Sequence, residues 1–122
     1  MTKTDKPLVY LACPYSHPNR SERVARFDAA NSAAGILMKR GMLVFSPISH
    51  THPIAECCDL PLGWDFWHAY DRAFIEHAHA IYVLCIPGWE ISVGVKAELE
   101  IAAELGLRVV YIDREGNDLN GS

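Results

Sequence analysis

Four short apolar runs, separated by three stretches long enough for helices, constrain this chain more than any other feature. The runs are PLVYLAC (7–13), MLVF (42–45), AIYVLCI (80–86) and LRVVYI (107–112). Each is rich in the β-branched and aromatic residues that favour strands, and each is almost continuously apolar, as a strand covered on both faces must be. Between the first two, a helix capped by Asn19 or Ser21 runs to about Arg40 and presents Val24, Phe27, Ala30, Ala34, Leu37 and Met38 on one side. Gly41 follows it at the position where helices turn left-handed. A second helical stretch covers 64–78, and a last helix starts at Ser92 or Val93, reaches Leu105 and stops at Gly106. The segment SPISHTHPIAECCDLPLG (46–63) carries three prolines and is longer than an ordinary connection, so it is expected to be a functional loop or lid.

The order β-α-β-α-β-α-β implies helical crossovers between parallel strands. The expected fold is α/β: a three-layer Rossmann-like or flavodoxin-like domain, 1–122, with a mainly parallel sheet of four or five strands. In such sheets the ligand crevice lies beyond the carboxyl ends of the strands, here residues 13–18, 46–52 and 87–94.

Charge narrows the partners. Eleven Lys and Arg against 15 Asp and Glu give a formal charge of −4, with no basic block, which weighs against binding to a nucleic-acid polymer or an anionic membrane. No apolar run approaches a membrane span, and the polar start MTKTDKP does not read as a signal peptide, so a cytoplasmic location is expected. Cys57 and Cys58 are adjacent, and Cys13 and Cys85 lie in apolar runs, a usage that fits reduced thiols rather than a disulfide framework.

Two carboxylates break the apolar pattern. At 100° per residue, Trp64, Trp67, Phe74, Ile75 and Ala78 fall on one arc of their helix, and Asp71 falls inside it. On the last helix, Glu98 lies in the middle of a face formed by Gly94, Val95, Leu99, Ile101, Ala102 and Leu105. A carboxylate is costly to bury without partners. Either each acid caps a loop or pairs at the rim of the core, or both share a pocket in which one is ionised and the other holds a proton.

The run Ser92-Val93-Gly94-Val95-Lys96-Ala97-Glu98, followed by Leu105-Gly106 and RVVYI, resembles the S-x-G-x-x-x-E plus L-G signature of the nucleoside 2-deoxyribosyltransferase-like superfamily, which includes the deoxynucleoside monophosphate N-glycosidases. The segments FSPISHTHPIA and PGWEISVGVKAELEIA are most similar to a branch of small bacterial and phage proteins of unassigned function. The resemblance implies that Glu98 is a nucleophile at the anomeric carbon, that Ser92 and Gly94 contact a phosphate or hydroxyl, and that Asp71 is the family's second acid. It also implies that VYLACPYS is the first strand and loop, with Tyr10, Cys13 and Tyr15 near the substrate. The family's nucleotide hydrolases usually have a glycine-containing, often basic first loop, whereas this chain has Cys-Pro-Tyr-Ser-His-Pro; Arg20 and Arg23 are the nearest basic groups. Cleavage of an N-glycosidic bond passes through an oxocarbenium-like centre that an ionised Glu98 can trap, while Asp71 can supply a proton or orient the sugar.

The remaining signals stay open between two readings each. His50 and His52 ahead of Cys57 and Cys58 match no standard zinc spacing; no metal is expected, and His50 is assigned to substrate contact. Trp89 can stack on a base or anchor a lid or interface, and Cys13 can be a nucleophile or a small core residue. Trp64 and Trp67 are expected to pack their helix, and Asn31 to be a hydrogen-bonded structural residue. No cofactor is expected. The partner is a small nucleoside or nucleotide, and the chain is expected to form a homodimer or homotetramer. Function divides between hydrolysis or base transfer at an N-glycosidic bond, a non-catalytic nucleotide or nucleotide-sugar binder, and an interaction protein on the same scaffold.

Overall fold

The computed structural model describes residues 6–61 and 63–120, so the polar start, apart from its last two residues, lies outside the described part. The elements are β1 (Leu8–Ala12), α1 (Arg20–Lys39), β2 (Leu43–Phe45), α2 (Pro47–Cys58), α3 (Trp64–Ile75), β3 (Ala80–Leu84), a single 3-10 turn at Trp89–Ile91, α4 (Val93–Leu105) and β4 (Arg108–Ile112). The sheet order is β2-β1-β3-β4, and every pairing of these strands is parallel. This is a flavodoxin-like arrangement. The strand order reverses between β1 and β3, whose carboxyl ends therefore diverge into a crevice.

Alternation along β1 divides the core into two layers. Val9 and Leu11 face the small, closely packed side of α1, where Ala29, Ala30, Ala33, Ala34 and Leu37 are buried. Tyr10 and Ala12 face the other way, toward Ile75 at the end of α3 and Val95, Ile101 and Ala102 of α4. Truncating Leu37, which is wholly buried, to Ala would cost about 2–5 kcal/mol.

Local signals fix the helix ends. The Asn19 side chain accepts from the Ser21 N–H at 3.0 Å and caps α1. Gly106 closes α4 at φ 68°, a left-handed conformation that glycine adopts without a Cβ clash.

The segment 46–63 departs from expectation: most of it is α2 rather than an irregular loop. Pro47 occupies the first turn, where the backbone N–H has no intrahelical partner to lose. Pro53 does remove a helical hydrogen bond, yet the helix persists because Ile48, His52 and Ala55 recur at i, i+4 and i+7 and are buried together. Three smaller corrections concern packing. Met38 is exposed rather than on the buried face of α1, since that face rotates onto Ala29 and Ala33. Asn31 is hydrogen-bonded as expected, accepting from the Ser49 hydroxyl of α2, but on the exposed side of α1 rather than the apolar one. The α3 helix ends at Ile75, and Phe74 points partly outward to stack on Phe45 at 4.2 Å. No helix among the described residues is long and apolar enough to cross a membrane.

Candidate active site

Glu98 comes from the second turn of α4, Asp71 from α3 and Tyr10 from the middle of β1, and all three converge on the α3/α4 side of the sheet. The Tyr10 hydroxyl donates to Glu98 Oε2 and also interacts with the Asp71 carboxyl. Only 4% of Glu98 is exposed. Burial first, and the Asp71 charge second, push the Glu98 carboxyl up to about 8, while the Tyr10 hydrogen bond pulls the other way. Burial likewise pushes Asp71 up to about 6 against its own bond with Tyr10. The Tyr10 phenol is held well above its ordinary range by burial and by the two carboxylates. Two close carboxyls out of water do not readily ionise together, so near neutral pH the pair retains one proton.

The carboxyls open into a cavity of about 450 Å³ at the carboxyl end of the sheet. Cys13, Tyr15, Ser16 and His17 line it from the loop after β1, Ile48, Thr51 and Ala55 from α2, and Trp64, Trp67 and Asp71 from α3. Ser92, Val93, Gly94 and Glu98 complete it from the start of α4. Ser92 caps that helix: its Oγ accepts from the Val95 N–H at 3.2 Å, leaving its O–H able to donate to a ligand. The N–H groups of Val93 and Gly94 have no intrahelical acceptor, as first-turn groups never do. Neighbouring protein atoms do not force glycine at 94, because a Cβ there would make only an ordinary 3.8 Å contact with Trp64. A bare backbone at this point leaves the helix start open to the cavity.

Arg26 supplies a guanidinium to the same wall. Its Nη1 donates to the Ser16 carbonyl at 3.0 Å, and its Nη2 would lie 2.6 Å from a Cβ at Gly88. Gly88 itself has φ 97°. Glycine is favoured there by conformation, and a Cβ would also displace the end of the Arg26 side chain.

Comparison with known proteins places this architecture. The family model described as a domain of unknown function, DUF1937, matches residues 7–114. The chain belongs to the DUF1937 family. No curated protein matches the sequence. Among solved structures, the fold is similar to a 2-deoxyribosyltransferase from Bacillus psychrosaccharolyticus, with a TM-score of 0.60 and 20% identity over 90% of this chain and 74% of that one. It is also similar to a 2-desoxiribosyltransferase from Leishmania mexicana, with a TM-score of 0.55 and 18% identity over 88% of this chain and 64% of that one. This DUF1937 chain therefore has the fold of the 2-deoxyribosyltransferases and spans somewhat less than two thirds of the second relative.

Of the residues singled out from sequence, Glu98, Asp71, Cys13, Tyr15, Ser92 and Gly94 line the cavity, and Tyr10 reaches it through Glu98. Two do not line it. Trp89 packs against Tyr111 at 5.5 Å, on the side of α4 away from the carboxyls. His50 projects outward between Phe45 and Tyr70, because α2 turns the alternate histidine, His52, inward. Cys13 has the character of a core thiol: its Sγ is directed at the Pro14 and Arg26 carbonyls, and burial and Glu98 push it up to about 12. Arg20 is paired with Glu56, and Arg23 donates to the His17 and Pro18 carbonyls, so neither lines the cavity. Among the described residues, no group of three or more His, Cys, Asp or Glu could hold a metal ion.

Sequence reasoning did not assign Arg26, Trp64 or Trp67 to the cavity wall, and it did not place His52 in a helix. Arg26 was hidden among the polar residues of α1. Trp64 and Trp67, read as packing residues, form cavity wall. His52 was obscured by reading α2 as a loop; its i, i+4, i+7 spacing with Ile48 and Ala55 was the available signal.

Proposed function

We propose that the chain cleaves the N-glycosidic bond of a nucleoside or nucleotide, by hydrolysis or by transfer of the sugar to another base. The observation that carries this reading is the convergence of two proton-retaining carboxyls and the Tyr10 hydroxyl on the floor of one cavity, in the fold of the 2-deoxyribosyltransferases. In the reactive form the shared proton sits on Asp71, and Glu98 is ionised under the Tyr10 O–H. A Glu98 oxygen bonds to the anomeric carbon as the carbon–nitrogen bond breaks, its electron pair leaving with the base, which takes the proton from Asp71. Water or a second base then attacks the anomeric carbon, Glu98 leaves as carboxylate, and Asp71 recovers a proton. Tyr10 stabilises the ionised Glu98 and is a positioning residue. Ser92 and the first-turn N–H groups of α4, with Arg26 on the facing wall, suit a hydroxyl or phosphate of the sugar.

The test is incubation with a panel of nucleosides and their 5′-monophosphates, with free base read by chromatography. Glu98→Gln should abolish base release while ligand still binds, and Asp71→Asn should leave more residual activity. Undiminished turnover in Glu98→Gln would remove the carboxylate mechanism. A second reading, a nucleotide binder without turnover, is favoured by one observation: burial keeps the proton on the very carboxyl that must attack. Binding without base release by the wild-type chain would select it.

A further inference from the structure

His52 is a polar residue in the buried stripe of α2. Only 6% of it is exposed, and the Phe27 ring of α1 lies 4.4 Å from its own. Its Nδ1 is hydrogen-bonded to the Tyr15 hydroxyl, with the two rings edge to face at 5.4 Å. Tyr15 is cavity wall, and the residues that flank His52 on its helix, Thr51 and Ala55, line the cavity too. A phenylalanine or leucine at 52 would fill the same space against Phe27, so packing does not explain a histidine. An acceptor at the ring edge does: the phenolic O–H needs a lone pair, and a neutral imidazole with its hydrogen on Nε2 presents one at Nδ1.

We propose that His52 is a positioning residue for the ligand cavity: its neutral imidazole holds the Tyr15 ring in the wall through O–H···Nδ1, and protonation of His52 reverses that hydrogen bond. The proposal rests on reading the cavity as the ligand site. Protonation turns Nδ1 into a donor; the phenolic oxygen has lone pairs to accept from it, so the hydrogen bond reverses direction and the Tyr15 hydrogen must find another acceptor. The charged groups facing His52 are Glu56 on α2 and Arg20, Arg23 and Asp28 on α1, with Tyr15 on the loop after β1. Two cations and two anions leave little net field, and Arg20 and Glu56 are paired with each other. Burial decides the direction and holds the imidazole below its ordinary 6.5. The neutral ring is therefore the form that faces Tyr15 at neutral pH.

The experiment follows imidazole nitrogen and tyrosine ring signals by nuclear magnetic resonance in the full chain across the His52 titration, with no ligand present. Tyr15 signals should move in step with His52 protonation. In His52→Asn, whose amide oxygen offers an acceptor near the position of Nδ1 but does not titrate, they should stay fixed. In His52→Phe they should be displaced at every pH. Tyr15→Phe should shift the His52 titration midpoint, since it removes the hydroxyl bonded to Nδ1. Tyr15 signals indifferent to His52 protonation, or a Tyr15→Phe variant that leaves the midpoint unmoved, would overturn the proposal. A second arm measures 2′-deoxyadenosine binding calorimetrically. Affinity should fall about tenfold in His52→Phe and be kept in His52→Asn. If 2′-deoxyadenosine and the wider nucleoside panel fail to bind while the ring coupling is observed, the proposed function fails and the positioning role stands.

Discussion

Replacing Glu98 by glutamine should make the protein more stable, relative to the wild type, as the pH rises, even as it removes the proposed nucleophile. In the unfolded chain Glu98 ionises near 4.5, whereas in the folded chain it keeps its proton up to about 8. Between those values the unfolded state has released a proton that the native state still binds, so native stability falls with rising pH, and the loss is complete above the folded value. The rise from 4.5 to about 8 corresponds to a ceiling of about 5 kcal/mol, at about 1.4 kcal/mol per pH unit. Relaxation of the neighbours and the coupling to Asp71 reduce it, so the expected effect is about 2–4 kcal/mol. The Glu98→Gln side chain has no such titration. Any cost of burying its amide is the same at every pH and cancels when two pH values are compared. Urea unfolding of both proteins, followed by tryptophan fluorescence at about pH 5 and about pH 8.5, isolates the effect. The stability of Glu98→Gln relative to wild type should increase by about 2–4 kcal/mol between the two conditions, equivalent to roughly 10 °C in melting temperature. A difference that does not change with pH would refute the claim that burial holds a proton on Glu98.

The other predictions concern neighbouring parts of the site. Tyr10→Phe removes a hydrogen bond to the charged form of Glu98, worth about 1.5–3 kcal/mol, and should raise that carboxyl by roughly one to two pH units, as read by carboxyl carbon resonance. An unchanged titration would remove Tyr10 from the site. Gly88→Ala forces a left-handed alanine and should cost on the order of 1–3 kcal/mol in urea unfolding; a neutral result would contradict backbone strain at this position. Cys57 and Cys58, both exposed, should be alkylated by iodoacetamide while Cys13 resists until the chain unfolds; early modification of Cys13 would contradict its buried, protonated state. Light scattering should give a dimer or tetramer, since Ile91 and Val93 at the cavity rim are 87% and 70% exposed; a monomer at high micromolar concentration would exclude it.

What the sequence determined by itself is what depends on near neighbours along the chain. Strand and helix positions followed from the period of apolar residues, and the start and stop of α4 from Ser92 and Gly106, because caps act within one turn. Glu98 and Asp71 were visible as charges inside apolar stripes for the same reason: periodicity reports which face is buried. It does not report what lies opposite. The sheet order β2-β1-β3-β4 is a choice among long-range pairings, and in it Tyr10, on an otherwise apolar strand, meets a carboxyl 88 residues away. Helix α2 shows the limit from the other side. Its internal Pro53 opposes a helix locally, and burial of Ile48, His52 and Ala55 against the rest of the molecule overrides it. The Tyr15–His52 bond and the seating of Arg26 against Gly88 follow from that same packing, since each joins segments whose proximity exists only once the sheet and its two helical layers have closed.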